Sequence, residues 1–438
     1  MKFFKVRIPL LYVSAAVVFA LGFLFYVNKP FHFPGFNKHS VTRIYFADNI
    51  SMAHQKLIDR FNQEYQGKIK VIPVNLPFTK FSTNERKELL ARALRSKSDR
   101  IDVFAIDLIW VPRFARWGEP LDTNFSMKER SQILDFVLES CYYNNHLVAI
   151  PLYIDIGMMY YRDDLLKTFP DYDNIVEKLK QSITWEELIE LKYRYIPGKP
   201  FYLFAAKNFE GLICSFMEML VEQNETIFAA DSIQLNTPGA RKALTFLVDL
   251  VHKYKMTPLT VTRFNEVQTY QYAIENDALF FRGWPGLIRH FSDVIGQNKI
   301  QYISKAALPH FKGASPAYVF GGWNLMISKF STKKHAAVEF VKFVLKEESQ
   351  KLMFEEGGYL PIIKHIYEDS VFYKNTSDLM FYRQLLNNGI HRPSHINYTK
   401  ISDVLSYYIR LAIRKEIPIQ QALAKATRDI NSRKTLIR

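Results

Sequence analysis

Hydrophobic positions over residues 41–107 switch repeatedly between two periods. Val41–Ala47 (VTRIYFA) reads as a strand. The next segment places Leu57, Ile58, Phe61 and Tyr65 on one helical face, and residues 68–74 (KIKVIPV) return as a strand. Asn84–Ser96 predicts a second helix, with Asn84 as its cap and Leu89, Leu90, Ala93 and Leu94 as its apolar side. Ile101–Asp107 (IDVFAID) is an apolar run of the kind a parallel sheet buries on both faces. The order β-α-β-α-β predicts an open α/β sheet. A second series follows Ile150. Ser182–Leu191 predicts a capped helix, and Asn236, Thr237 and Pro238 open another with Ala240, Ala243, Leu244, Leu247, Val248 and Val251 as its stripe. Ser331–Glu355 gives a third, with Ala336, Ala337, Phe340, Val341 and Val344 facing inward, and the chain is again helical in period from Ile401. No internal repeat or low-complexity tract interrupts the pattern.

The N-terminus departs from it. Pro9–Val27 runs for 19 residues without a charge, enough for a helix to cross the hydrocarbon core of a bilayer. Lys2, Lys5 and Arg7 precede it, so the positive-inside rule places everything after it outside the cytoplasm. The apolar run ends in Phe23, Leu24, Phe25, Tyr26 and Val27 rather than in a small-residue cleavage site. An uncleaved anchor over residues 1–29 is therefore expected, with a cleaved export signal as the alternative, and residues 30–40, carrying Pro30, Pro34 and Gly35, read as a tether.

Length adds a second lobe. A chain of 438 residues exceeds one ordinary core and suits two lobes with a cleft between them. The formal charge of +15 raises nucleic acid as a partner, but the basic residues are scattered and no recognition helix or Cys/His finger accompanies them, so no nucleic-acid partner is expected. Two cysteines, Cys141 and Cys214, cannot build a thiolate zinc site or a disulfide scaffold, and both read as buried free thiols.

Catalytic motifs are missing: the chain has no G-x-S-x-G elbow, P-loop, H-E-x-x-H or strand-linked G-x-G-x-x-G. His391 and His395 have the spacing of a metal pair, but Pro393 between them argues against a helix, and they read as loop residues. No metal or cofactor is expected. Tryptophan placement is more informative. Trp110 follows the buried strand ending at Asp107, where open α/β sheets bind ligands. Trp284 lies in FFRGWP and Trp323 in GGWNL, both at strand-to-loop junctions. Flat aromatic faces pack on the C–H face of a sugar while carboxylates take its hydroxyls, and Asp107, Tyr153 and Asp155 supply the polar part. Trp117 and Trp185 read as packing residues.

At these residues the chain resembles the family 1 extracellular solute-binding proteins, the maltose/trehalose-binding-protein-like components of ABC importers. The resembling blocks are IDVFAIDLIWVPRFARWGEPLD, CYYNNHLVAIPLYIDIGMMYYRDDLL, DALFFRGWPGLIRHF, FGGWNLMISKFSTKKHAAVEFVKFVLKEESQKLMFEEGGYLPI and HRPSHINYTKISDVL, in the family's order. The resemblance implies a two-lobed, periplasmic-binding-protein-like α/β fold of type II. Each lobe would be an open, mostly parallel sheet flanked by helices, with 41–152 and 276–320 in lobe 1 and 153–275 and 321–438 in lobe 2. It implies ligand contacts from Asp107, Trp110, Tyr153, Asp155, Trp284, Gly322, Trp323 and Arg392, and from Asp48 in Phe46-Ala-Asp-Asn49, where the family more usually has a small-residue Trp/Gly loop. The implied function is extracytoplasmic capture of a carbohydrate by hinge closure and delivery to ABC permease subunits, without catalysis. The competing readings are a membrane-anchored glycoside-acting enzyme using Asp107 and Asp155, and a ligand-sensing ectodomain.

Overall fold

The computed structural model describes residues 41–432, apart from 79, 82, 98–99, 196–197, 230–231, 287–288, 290–296 and 377. The expected membrane helix and tether lie outside the described residues, and among those described no helix is long and apolar enough to cross a membrane.

Strands β1 (Thr42–Asp48), β2 (Ile69–Asn75) and β3 (Val103–Asp107) form where the apolar runs predict them. Both β2 and β3 pair with β1 in parallel. Helix Met52–Glu64 starts because Ser51 accepts a hydrogen bond from the His54 amide, and it buries Leu57, Ile58 and Phe61. Its Asn62 side chain exchanges hydrogen bonds with the backbone of Val71, at 2.7 and 3.1 Å, which covers the edge strand β2. Helix Thr83–Arg95 returns the chain to β3. Two short hairpin strands, β4 (Tyr142–Tyr143) and β5 (His146–Leu147), precede β6 (Ile150–Ile156) and β7 (Met158–Arg162). Then follow β8 (Tyr202–Leu203), the hairpin β9 (Phe228–Ala229) and β10 (Ser232–Ile233), β11 (Phe280–Gly283), β12 (Ile303–Ala306), β13 (Tyr318–Ile327) and β14 (Gly389–Ile390).

The strands assemble into two main sheets. The first has the order β14-β13-β3-β1-β2, with β6 also on β13, and the second has β12-β7-β11-β8. Sheet membership differs from the expected lobe division. Both β11 and β12 pair with β7 in the second sheet, whereas β13 joins β3 and β6 in the first. The first lobe is thus built on residues 42–156 and 318–390, the second on 158–306 and the C-terminal helices. The sheets are also less parallel than expected: β13 is antiparallel to β3 and β6, and β7 to β11 and β12. β13 re-enters the first sheet from the second, and β6 passes into β7 of the other sheet through the single residue Gly157.

The chain crosses between sheets at Gly157, over residues 307–317 and over residues 391–397. After the last crossing, helix Tyr398–Ile413 packs with Glu210–Val221 and Pro238–His252. The helix expected over Ser331–Glu355 is two helices, Lys334–Val344 and Glu347–Gly357, because Lys346 is extended (φ −61°, ψ 141°) and breaks the period. Cys141 and Cys214 are separate, buried free thiols, as expected.

Candidate functional site

The carboxyl ends of the first sheet gather four of the expected residues. Asp48 ends β1 and Asp107 ends β3, while β13 runs antiparallel to β3 and β6 and sets Trp323 opposite both Asp107 and Tyr153. Register slips between Trp323 and Asn324, next to Gly322, whose φ is +123°. A Cβ there would lie 2.6 Å from the Tyr153 carbonyl oxygen, so glycine is required twice over, by conformation and by space.

Around Trp323 the side chains form an aromatic and cationic stack. The Trp110 ring meets it edge-on at 6.0 Å and 83°, and the Arg86 guanidinium lies 4.1 Å from the Trp323 ring and 4.2 Å from that of Phe78. Desolvated cation–π contacts of this kind contribute about 2 kcal/mol. Arg86 Nη2 donates to Asp48 Oδ1 at 2.6 Å, and His54 Nε2 approaches Asp48 Oδ2 at 3.3 Å. Burial alone would raise the Asp48 carboxyl, but the His54 contact and the Arg86 charge outweigh it and hold it below the usual carboxylate range. Arg86 is fully buried, and its Nε and Nη1 have no hydrogen-bond partner among the described residues. Tyr153 and Tyr359 pack against each other with rings 4.3 Å apart, and both meet the His54 ring edge-on.

Arg392 ties the two lobes. Its Nη2 donates to Asp107 Oδ1 at 2.8 Å and its Nη1 to Glu210 Oε1 at 2.9 Å, while the Tyr398 hydroxyl donates to the same Glu210 oxygen at 2.6 Å. Asp107 also caps the turn Leu108–Trp110 by accepting from the Ile109 amide. Burial raises the Asp107 carboxyl, more than the Arg392 charge lowers it.

A second focus forms where β11 ends. Trp284 packs on the backbone of Gly321, which is paired in register with Asp155; a Cβ on Gly321 would lie 2.9 Å from the Trp284 ring and 3.1 Å from Asp155 Cβ. Arg282 lies 4.5 Å from the Trp284 ring and forms a two-pronged bond with Glu218, at 2.7 and 2.9 Å. The Asp155 side chain makes no hydrogen bond or ion pair among the described residues, and burial, followed by the Asp107 charge, pushes its carboxyl well above the usual range. Asp155 therefore presents a carboxyl that no described protein group engages and whose uncharged form burial favours.

The nine expected residues thus fall into one region, but not in the expected posture. Trp110, Trp323 and Tyr153 are 2%, 6% and 5% exposed, and of the three expected indoles only Trp284 keeps part of its surface open. Trp110 and Trp323 are taken up by their edge-on contact with each other, with Arg86 over the Trp323 ring and Lys87 5.5 Å from that of Trp110. Sequence reasoning missed Arg86, His54, Glu210 and Tyr359. A signal existed for Arg86: it falls on the same helical stripe as Leu90 and Leu94, a cation on an apolar face. Glu210 opens a helix apolar on every side, EGLICSFMEMLV, where a charge needs a buried partner.

Comparison with known proteins agrees with this architecture. A probable ABC transporter-binding protein of Deinococcus radiodurans is 24% identical over 397 residues, covering 86% of this chain and 90% of that protein. The maltose-bound MalE3 of T. maritima superposes with a TM-score of 0.78 at 27% identity, covering 90% of this chain and 100% of that one. A solute-binding protein from Thermotoga lettingae, bound with alpha-D-tagatose, gives 0.77 at 20% identity over 90% and 99%. Such likeness places the two lobes in the periplasmic-binding-protein-like fold. Residues 56–380 match the family of bacterial extracellular solute-binding proteins, and the chain belongs to that family.

Proposed function

We propose that this chain is the sugar-binding component of an ABC importer, capturing a sugar or oligosaccharide between its lobes and handing it to permease subunits. The reading is carried by Trp284 and Asp155. An indole with an open part, set against glycine backbone beside an unpaired carboxyl, offers a face for ring C–H groups and a hydrogen-bonding group for hydroxyls. Arg86 supports it from the other side, since two buried guanidinium nitrogens without acceptors, Nε and Nη1, cost roughly 1–3 kcal/mol each until a ligand or water oxygen supplies them. Asp48, Asp107, Trp110, Tyr153, Gly322, Trp323 and Arg392 shape and hold the floor. The maltose-bound relative supports a glucose-type oligosaccharide as the first ligand to try.

Calorimetric titration with maltose and longer maltodextrins, with chromatography of the mixture afterwards, tests the proposal. Saturable binding with intact sugar supports a carrier. Products would support the glycoside-acting enzyme, and absence of binding across a panel of sugars would overturn the sugar reading. The apolar run Pro9–Val27 further supports anchoring at the outer face of the cytoplasmic membrane. Intact mass of the membrane-extracted protein tests this, since loss of the first 27 residues would mean cleavage instead.

A further inference from the structure

On the second lobe, lined by neither Trp284 nor Asp155, a groove of about 600 Å³ opens between helix Trp185–Tyr195, helix Pro238–His252 and the Phe311–Lys312 segment of the second crossing. That volume is in the range of small-molecule sites, roughly 300–1,000 Å³. Its apolar walls are Trp185, Phe246, Tyr254 and Phe311, with the Trp185 and Phe246 rings 4.9 Å apart and those of Phe246 and Phe311 4.8 Å apart.

The polar groups on this groove are mainly donors. Trp185 is buried, and its indole N–H has no acceptor among the described residues. Arg241, Lys242 and Lys312 line the rim, and none of the three makes an ion pair among the described residues. Arg241 reaches only the Asn236 side chain, at 3.4 Å, and the Lys242 ammonium rests 5.0 Å from the Phe311 ring. Two carboxylates also line the groove, and both have partners: Glu186 accepts the Lys312 amide at 3.0 Å, and Asp249 lies 4.0 Å from Lys253. Aromatic walls and three cations against two carboxylates complement a ligand with a flat apolar body and an anionic head.

We propose that this groove is a second binding site, independent of the sugar site, for a small aromatic carboxylate. Its ring lies against Trp185 and Phe311, and its carboxylate takes the charges of Arg241, Lys242 and Lys312. Neither the family relationship nor the sugar chemistry requires such a site.

The test is calorimetric titration of the purified full chain with 1-naphthoate and with uncharged 1-naphthamide. Saturable naphthoate binding, at least about tenfold tighter than the amide and weakened by salt, is expected. The double variant Arg241→Glu/Lys242→Glu, and separately Lys312→Glu, should each weaken it about tenfold or more while leaving the far-ultraviolet circular dichroism and sugar affinity unchanged. Equal affinity for acid and amide, unchanged affinity in both charge-reversal variants, or no binding up to about 10 mM overturns the proposal.

Discussion

Trp284 and Trp323 have the same side chain and opposite surroundings, so truncating them should fail in different ways. Trp284 keeps an open part, and its contacts are the Gly321 backbone and the Arg282 guanidinium, so Trp284→Ala is expected to weaken sugar binding by about 1–3 kcal/mol while the melting temperature stays near that of the parent. Trp323 is the floor beneath Arg86 and the partner of Trp110. Trp323→Ala empties a buried volume and strips one aromatic face from a buried cation, so a loss of stability of about 3–5 kcal/mol is expected, read by denaturant unfolding. Equal stability of the two variants would contradict this division. The difference was not legible in the sequence: FFRGWP and GGWNL both mark indoles at strand ends, and only the packing of Arg86, brought in from a helix more than 200 residues earlier, separates them.

At the scale of elements, the second crossing is held by a carboxyl whose proton depends on folding. Glu222 accepts the Phe311 amide at 2.9 Å. Burial raises it most, this hydrogen bond lowers it, and the neighbouring carboxylates of Glu218 and Glu186 raise it again, which leaves it at about 8. Below the unfolded value near 4.5 both states hold the proton, and between there and about 8 only the folded chain does. Stability therefore falls as pH rises through this window. Glu222→Gln keeps an acceptor for Phe311 and removes the titration, so it is expected to match the parent near pH 4.5 and exceed it near pH 8, with a flatter profile by urea unfolding at each pH. Identical slopes would show that Glu222 titrates normally. Local elements were readable in advance because hydrophobic period reports which face is buried: the stripe at Leu57, Ile58 and Phe61 and the run before Asp107 both sit where the pattern puts them. The direction of β13 and the sheet chosen by β11 depend on pairing across more than 100 residues, which no local period records.

For the whole molecule, the arrangement of the lobes rests on groups that touch both. Arg392, on the third crossing, bonds Asp107 at the end of β3 and Glu210 on a helix of the second lobe, and Tyr398 adds its hydroxyl to Glu210. One guanidinium thus bridges two carboxylates from different lobes, so the tie exists only while the lobes keep this relation. A ligand gripped by both lobes shifts the equilibrium by its differential affinity, and a built-in tie that favours the same relation reduces the fraction of that shift the ligand must supply. Arg392→Met keeps much of the side-chain volume but leaves Asp107 and Glu210 facing each other without a shared cation. Burying an uncompensated charge costs about 3–5 kcal/mol, so the variant should lose stability of that order, and sugar affinity should fall with it. The double variant Arg392→Met/Glu210→Gln removes one of the opposed charges, so it should recover part of the stability without regaining the interlobe bond. Measured together by urea unfolding and calorimetric titration, stability and affinity would then separate: recovery of both would mean that Arg392 acts only as a counter-charge, whereas recovered stability with weak binding is the outcome expected of a tie between lobes.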